Sequence, residues 1–409
     1  MTNLIVLSYK RLSLVTLLVA ITVTLFSRCL NQQDTQNTDP RGEAFTGSAK
    51  CLTCHKDVAA SWLHTAHALT SRPGDSSSVK GPVSSDQLGY SFGEHGDVHL
   101  QRRDSGLFQV AINKNKVEAH RLDITIGSGR KAQTYLYWKG EEVYELPLSY
   151  FITRGAWAIS PHFPADSIWF GRPITTDCFE CHSSFIRNKP ARHVDAFHQV
   201  DEFDRASLLY GIDCERCHGP GAQHAAWQQA HPAQTSARYI AILSSLTRQQ
   251  KLDICAACHS GVHTEQRSVF HFRPGQALAD YFYAEPMRNP NLSTMDVHGN
   301  QYQLLTASKC FLKSQDLECN TCHNAHIKER DDLTAFAHRC QTCHLSIAKH
   351  PAMDSTVFVA RCIDCHMPPL ASQVITMQTA AQHDPIANLV RTHYIAVYPD
   401  VAKKILAAR

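Results

Sequence analysis

The sequence predicts a mainly α-helical chain with much irregular loop, into which a small antiparallel β-rich segment is inserted. Three observations predict it. Short stretches with helical apolar spacing recur at 58–66, 194–209, 237–246, 332–338 and 399–408, joined by loops rich in Gly and Pro. One interval, between residues 55 and 178, instead carries alternating, β-branched and aromatic runs. Finally, 16 Cys and 25 His among 409 residues are several-fold above ordinary usage and are spread along the whole chain, which favours many short elements gathered around bound groups.

Cysteine spacing identifies those groups. The pattern Cys-x-x-Cys-His occurs seven times: Cys51, Cys54 and His55 (motif 1); Cys178, Cys181 and His182 (motif 2); Cys214, Cys217 and His218 (motif 3); Cys255, Cys258 and His259 (motif 4); Cys319, Cys322 and His323 (motif 5); Cys340, Cys343 and His344 (motif 6); Cys362, Cys365 and His366 (motif 7). Composition alone would give roughly 0.04 such matches. In this pattern two thiols form thioethers to the vinyl groups of a haem and the adjacent histidine falls under its iron. Zinc sites need no histidine directly after every second cysteine, and redox pairs do not recur seven times. Seven covalently attached haem c groups are therefore expected, with a core filled largely by haem and an apo-chain that does not fold without it. Only Cys29 and Cys310 stand outside the motifs, so no disulfide framework is expected.

Taken in order, residues 1–28 read as a signal peptide. Lys10 and Arg11 precede an apolar run at 12–26, which is too short for an ordinary membrane span. Cys29 is a candidate lipidated first residue, although Arg28 is a poor neighbour for that signal; a plain secreted chain and an uncleaved anchor stay open. A polar tether follows at 29–47, then a first haem segment at 48–84. The β-rich insertion occupies 85–153, with strands expected at 108–112, 119–126, 132–138 and 142–148 between turn signals at 113–115, 127–129 and 139–140. The Gly-Ser-Gly at 127–129 reads as a turn, since no helical pattern follows to make it a phosphate loop. Residues 154–409 form a six-haem domain. The motifs keep no fixed period, so the chain is not a solenoid.

The formal charge of +3 misleads. Cleavage before Cys29 removes Lys10, Arg11 and Arg28 and leaves a neutral polypeptide. Haem propionates then make the oxidised protein roughly −7 and the reduced one roughly −14. No nucleic-acid partner is implied.

The seven motif histidines leave eighteen others for the far side of each iron, while few methionines survive signal removal and Met367 abuts His366. Bis-histidine ligation and low potentials are expected for most haems. His326 lies only three residues beyond His323, too few to round a porphyrin edge, so it serves a neighbouring iron if any. His224, six beyond His218, is under nearly the same constraint. The stretch 211–224 is thus a junction between two haems.

Several motifs together carry a resemblance: Gly47-Ser-Ala-Lys-Cys51 with Ser61-Trp62 and Thr65-x-His67-Ala68; Cys214-Glu-Arg-Cys-His218-Gly-Pro-Gly with His224; Val297-His298-Gly-Asn-Gln301; Cys322-His323 with His326; and Cys365-His366-Met-Pro. In this order they resemble the multihaem cytochrome c-552/c-554-like family over nearly all of the mature chain. The resemblance implies electron transfer in the periplasm or at the cell surface. It also implies distal ligation by His67, His224 and His326, and more weakly by His298 and His393.

Two functions compete. The first is an electron carrier passing charge from a membrane donor to a periplasmic or extracellular acceptor, with redox proteins as partners and a Cys29 lipid as a candidate membrane attachment. The second is an oxidoreductase in which one haem lacks a distal ligand and acts on a small nitrogen or sulfur compound. The Cys-x-x-Cys-Lys motif of haem nitrite reductases is absent, which counts against one version of the second.

Overall fold

The computed structural model describes residues 39–83, 88–195, 198–261, 265–282, 295–330, 332–345, 360–378 and 385–407. The signal segment, Cys29 and most of the tether lie outside them, as do His263 and His350. Among the described residues no helix is long and apolar enough to cross a membrane.

Helix and strand are about equally represented, at about 30% and 29%, so the expectation of a mainly α chain is overturned. Fifteen strands are described. They are β1 (Ser71–Pro73), β2 (Leu88–Ser91), β3 (Asp97–Arg103), β4 (Gly106–Asn113), β5 (Lys116–Arg121), β6 (Ile124–Ile126), β7 (Ala132–Lys139), β8 (Glu142–Glu145), β9 (Leu148–Phe151), β10 (Ala156–Ile159), β11 (Arg172–Pro173), β12 (Ser183–His193), β13 (Gln199–Tyr210), β14 (Pro369–Met377) and β15 (Ile386–Arg391). Strands β2-β3-β4-β5 form one antiparallel sheet; β1-β6-β7-β8-β11 form a second, with the β9-β10 pair joined to β7. Apolar positions on alternating residues explain both: in β3, Val98 and Leu100 face inward while Asp97, His99 and Gln101 are only partly covered.

The two sheets share a core of Val98, Leu100, Leu107, Leu122, Tyr135, Leu146 and Leu148, each almost wholly buried. This is ordinary side-chain packing, so part of the molecule owes its interior to protein and not to a bound group. A second core joins the larger sheet to motif 2: Ile124, Leu136 and Val143 meet Phe179, which lies between Cys178 and Cys181, and Phe203 of β13. The Phe179 and Phe203 rings cross edge to face with centroids 5.2 Å apart. Motif 2 is thereby bolted to the sheet.

The helix expected at 194–209 is strand β13, paired antiparallel with β12. Its partner leaves motif 2 directly, and Phe203 N donates to Glu141 O at 2.8 Å, so sheet pairing overrides the local apolar spacing. The stretch 237–246 keeps only one 3₁₀ turn, Leu243–Ser245. Its backbone is engaged elsewhere: Arg238 O meets His224 Nδ1 at 2.9 Å, and Ala241 N donates to His218 O at 3.1 Å. A helix does form at Leu333–Gln341, and another at Pro399–Ala407.

Candidate metal centres

Each motif closes a short helical turn that presents its histidine at the end. Motif 4 ends a longer helix, Arg248–His259, opened by a reciprocal Thr247–Gln250 capping box. Motif 3, Cys214–His218, is capped by Asp213, whose side chain accepts from Arg216 N.

The turns pack in a definite order. The motif 1 helix (Ser48–Cys54) lies against motif 3, the motif 2 helix (Thr176–His182) against motif 4, and motif 4 against motif 5 (Cys319–Cys322). The Leu333–Gln341 helix, which carries Cys340, touches both motif 5 and motif 7 (Cys362–His366). Thiols meet at the first three of these contacts: Cys51 with Cys214, Cys181 with Cys258, and Cys255 with Cys319. Contact with Cys214 raises Cys51, and the same contact lowers Cys214. Arg216 bridges motifs 3 and 2, donating to Glu180 O at 3.1 Å and to Val269 O. Motif 1 thus meets motif 3, motifs 4, 5, 6 and 7 follow one another with motif 2 beside motif 4, and Cys217 of motif 3 lies near enough to Cys255 and Cys258 of motif 4 to interact electrostatically.

Four motif histidines each face a histidine from another part of the chain. His55 and His224 are stacked with ring centroids 6.4 Å apart and planes 18° from parallel. His218 and His326 lie 5.9 Å apart at 13°, and His323 and His393 lie 6.1 Å apart at 26°. His67 and His259 are 6.2 Å apart with planes at 78°. Two imidazoles on opposite sides of one metal, each with a bond of about 2.0 Å and about 1.1 Å more to its ring centre, have centroids about 6 Å apart. All four pairs meet that spacing. His218 and His224 fall in different pairs.

The remaining candidates are less tightly placed. His182 and His298 are near enough to interact electrostatically. The loop bearing His298 is fixed by Asp296, which accepts from His298 N at 2.7 Å and from Ser372 Oγ at 2.9 Å. His344 is exposed at the end of motif 6, and no ring pair of this kind involves it among the described residues. His366 is partly buried, with Nδ1 2.9 Å from Ala396 O.

Tautomers follow from these bonds. Nδ1–H of His224 donates to Arg238 O and that of His366 to Ala396 O, which leaves Nε2 with its lone pair free for a metal. His182 Nδ1 meets Thr70 Oγ1 at 3.1 Å and His259 Nδ1 meets Gln301 Oε1 at 3.3 Å. Burial pushes His67, His182 and His393 down to about 4, with neighbouring imidazoles adding to the effect. Burial likewise lowers His218, His259, His298 and His323. All are neutral at pH 7, the form that binds metal.

Facing neutral imidazoles at this spacing, each beside a Cys-x-x-Cys pair, suit covalent haem c.

Sequence reasoning missed the residues that hold the ligands in place. Glu215, inside motif 3, accepts from Thr46 N, Gly47 N, Gly221 N and Arg41 Nη2 at 2.7 to 2.9 Å, tying the chain before motif 1 to motif 3. A charged residue between motif cysteines was the available signal. Gly211 adopts φ +68°, and a Cβ there would lie 2.5 Å from Ala68 O, so glycine alone allows His67's segment to dock beside motif 3. Cys310 is a free, half-buried thiol raised by burial and, to a lesser degree, by Cys343.

The chain shares its fold with a solved structure, the outer cell wall cytochrome OcwA. The two are 18% identical, the match covers 88% of this chain and 81% of that one, and the TM-score is 0.55. No protein-family model matches the chain, and no curated protein does.

Proposed function

We propose that this protein is an exported electron-transfer cytochrome carrying seven haem c groups, most of them ligated by two histidines, that passes electrons between a membrane donor and a periplasmic or extracellular acceptor. The observation that carries the reading is the set of four imidazole pairs, each joining residues from different parts of the chain at 5.9 to 6.4 Å. When bound, each haem iron takes up and gives back one electron. The chain's own part is to hold the fourteen motif thiols, to fix imidazole orientation through Nδ1, and to keep neighbouring motifs in contact.

The proposed ligand sets are His55 with His224, His218 with His326, His259 with His67, His323 with His393, and His182 with His298. Because His224 follows motif 3 and His326 follows motif 5, the first set staples motif 1 to motif 3 and the second staples motif 3 to motif 5, which keeps the haem-bearing segments close enough for electrons to hop. The likeness to an outer cell wall cytochrome supports a position at the cell surface. Cleavage after residue 28, attachment through Cys29, the segment limits given above and the c-552/c-554-like kinship belong to the same proposal. A potentiometric titration of the holoprotein tests it. Most midpoints should lie below zero against the hydrogen electrode, since no methionine ligand raises them; a majority well above zero would overturn it.

A further inference from the structure

Three carboxylates outside the haem ligand sets converge beside motif 2. Oxygen atoms of Asp177, Glu180 and Glu265 all lie within 4.8 Å of one another. Glu180 is 1% exposed. Its Oε1 accepts from Ser268 Oγ, but its buried Oε2 has no donor. The Glu180 side chain meets the Glu265 carboxylate, itself partly buried. A buried carboxylate oxygen without a donor costs of order 1–3 kcal/mol or more, so a cation or a shared proton at this spot is stabilising.

The surrounding charges point the same way. Arg216 is the cation within reach, yet its guanidinium is turned to the backbone oxygens of Glu180 and Val269. Asp201 lies near enough to Asp177 to interact with it and already accepts from Thr176 N and Oγ1.

The geometry points to a divalent-cation site of calcium type formed by Asp177, Glu180 and Glu265. The donors are all hard oxygens, and oxygens within 4.8 Å of one another are spaced as ligands of an ion bound at about 2.4 Å. Magnesium demands a tighter octahedron and dehydrates reluctantly, whereas calcium accepts an irregular set completed by water on the open Asp177 side. The ion joins motif 2 to the segment beginning at Glu265. The same spot is where Cys258 Sγ of motif 4 and Arg216 of motif 3 reach Glu180 O, so the site pins the meeting point of three motifs.

The test uses the intact holoprotein with its haem content verified by pyridine haemochrome. After stripping with EGTA, calorimetric titration with calcium chloride should show one site, and elemental analysis should return one calcium per chain. Glu265→Gln and the more exposed Asp177→Asn should each weaken binding at least tenfold with all haems retained. Calcium should also shift the midpoint of one haem upward, since positive charge beside motif 2 favours its reduced state. No uptake by stripped wild type up to about 10 mM calcium, the weak end of extracellular calcium modules being near 1 mM, would overturn the site and leave a shared proton between Glu180 and Glu265. Unchanged affinity in both variants would overturn it as well.

Discussion

Glu215→Gln is the sharpest probe of how the first haem segment is held. Glu215 is 2% exposed. Oε1 accepts from Thr46 N at 2.9 Å and Gly221 N at 2.7 Å, while Oε2 accepts from Gly47 N at 2.8 Å and Arg41 Nη2 at 2.9 Å. Glutamine keeps one oxygen and replaces the other with an NH₂ group that faces two donors. Two charge-assisted bonds are lost at about 1.5–3 kcal/mol each, but Arg41 keeps Asp39 and Asp213 as partners, so the net cost should be about 3 kcal/mol. Guanidinium unfolding of the holoprotein, followed by far-ultraviolet circular dichroism at matched haem content, reads this as a lowered midpoint with an unchanged slope. A loss under about 1 kcal/mol would refute the claim that Glu215 joins motif 1 to motif 3.

Other predictions follow from the same contacts. His224→Ala should convert one haem to high spin and leave the haem content unchanged, and resonance or paramagnetic spectra should assign it to motif 1, not to adjacent motif 3. Phe179→Ala removes a ring at 1% exposure between motif 2 and the larger sheet and should cost about 3–5 kcal/mol in the same unfolding assay; a cost under 1 would show that the sheet does not anchor the motif. Gly211→Ala should destabilise the protein and disturb the His67 ligand set, seen as altered low-spin signals. Asp296 gives a pH signature. Burial alone would raise it, but donors from Gln373 N, His298 N and Ser372 outweigh burial and hold the carboxylate below its ordinary range. Its folded pKa is depressed, so its stabilisation is complete above about 4, the ordinary aspartate value, and fades as pH falls through the folded value. Melting curves of Asp296→Asn should therefore be flatter with pH than wild type between 7 and 3; parallel curves would contradict this.

The site was far more legible in the sequence than the fold. A Cys-x-x-Cys-His motif is local chemistry, complete within five residues, and the three-residue gap from His323 to His326 excludes a shared iron by chain length alone. In the structure the His326 ring lies 5.9 Å from that of His218. The strands that overturn the mainly α expectation depend on distant partners instead. Residues 194–209 have apolar spacing that suits a helix, and pairing with β12 and the Glu141 carbonyl make 199–210 a strand. Glu180 illustrates the same limit, since its meeting with Glu265, 85 positions away, has no trace in either local sequence.

The most direct test of the electron-carrier reading is an electron paramagnetic resonance spectrum of the fully oxidised holoprotein, recorded before and after adding nitrite, hydroxylamine and cyanide. The account predicts low-spin signals for the irons of motifs 1 to 5 and no change on adding the small molecules. A high-spin signal that shifts with any of them would contradict it and make the protein an enzyme with an open haem.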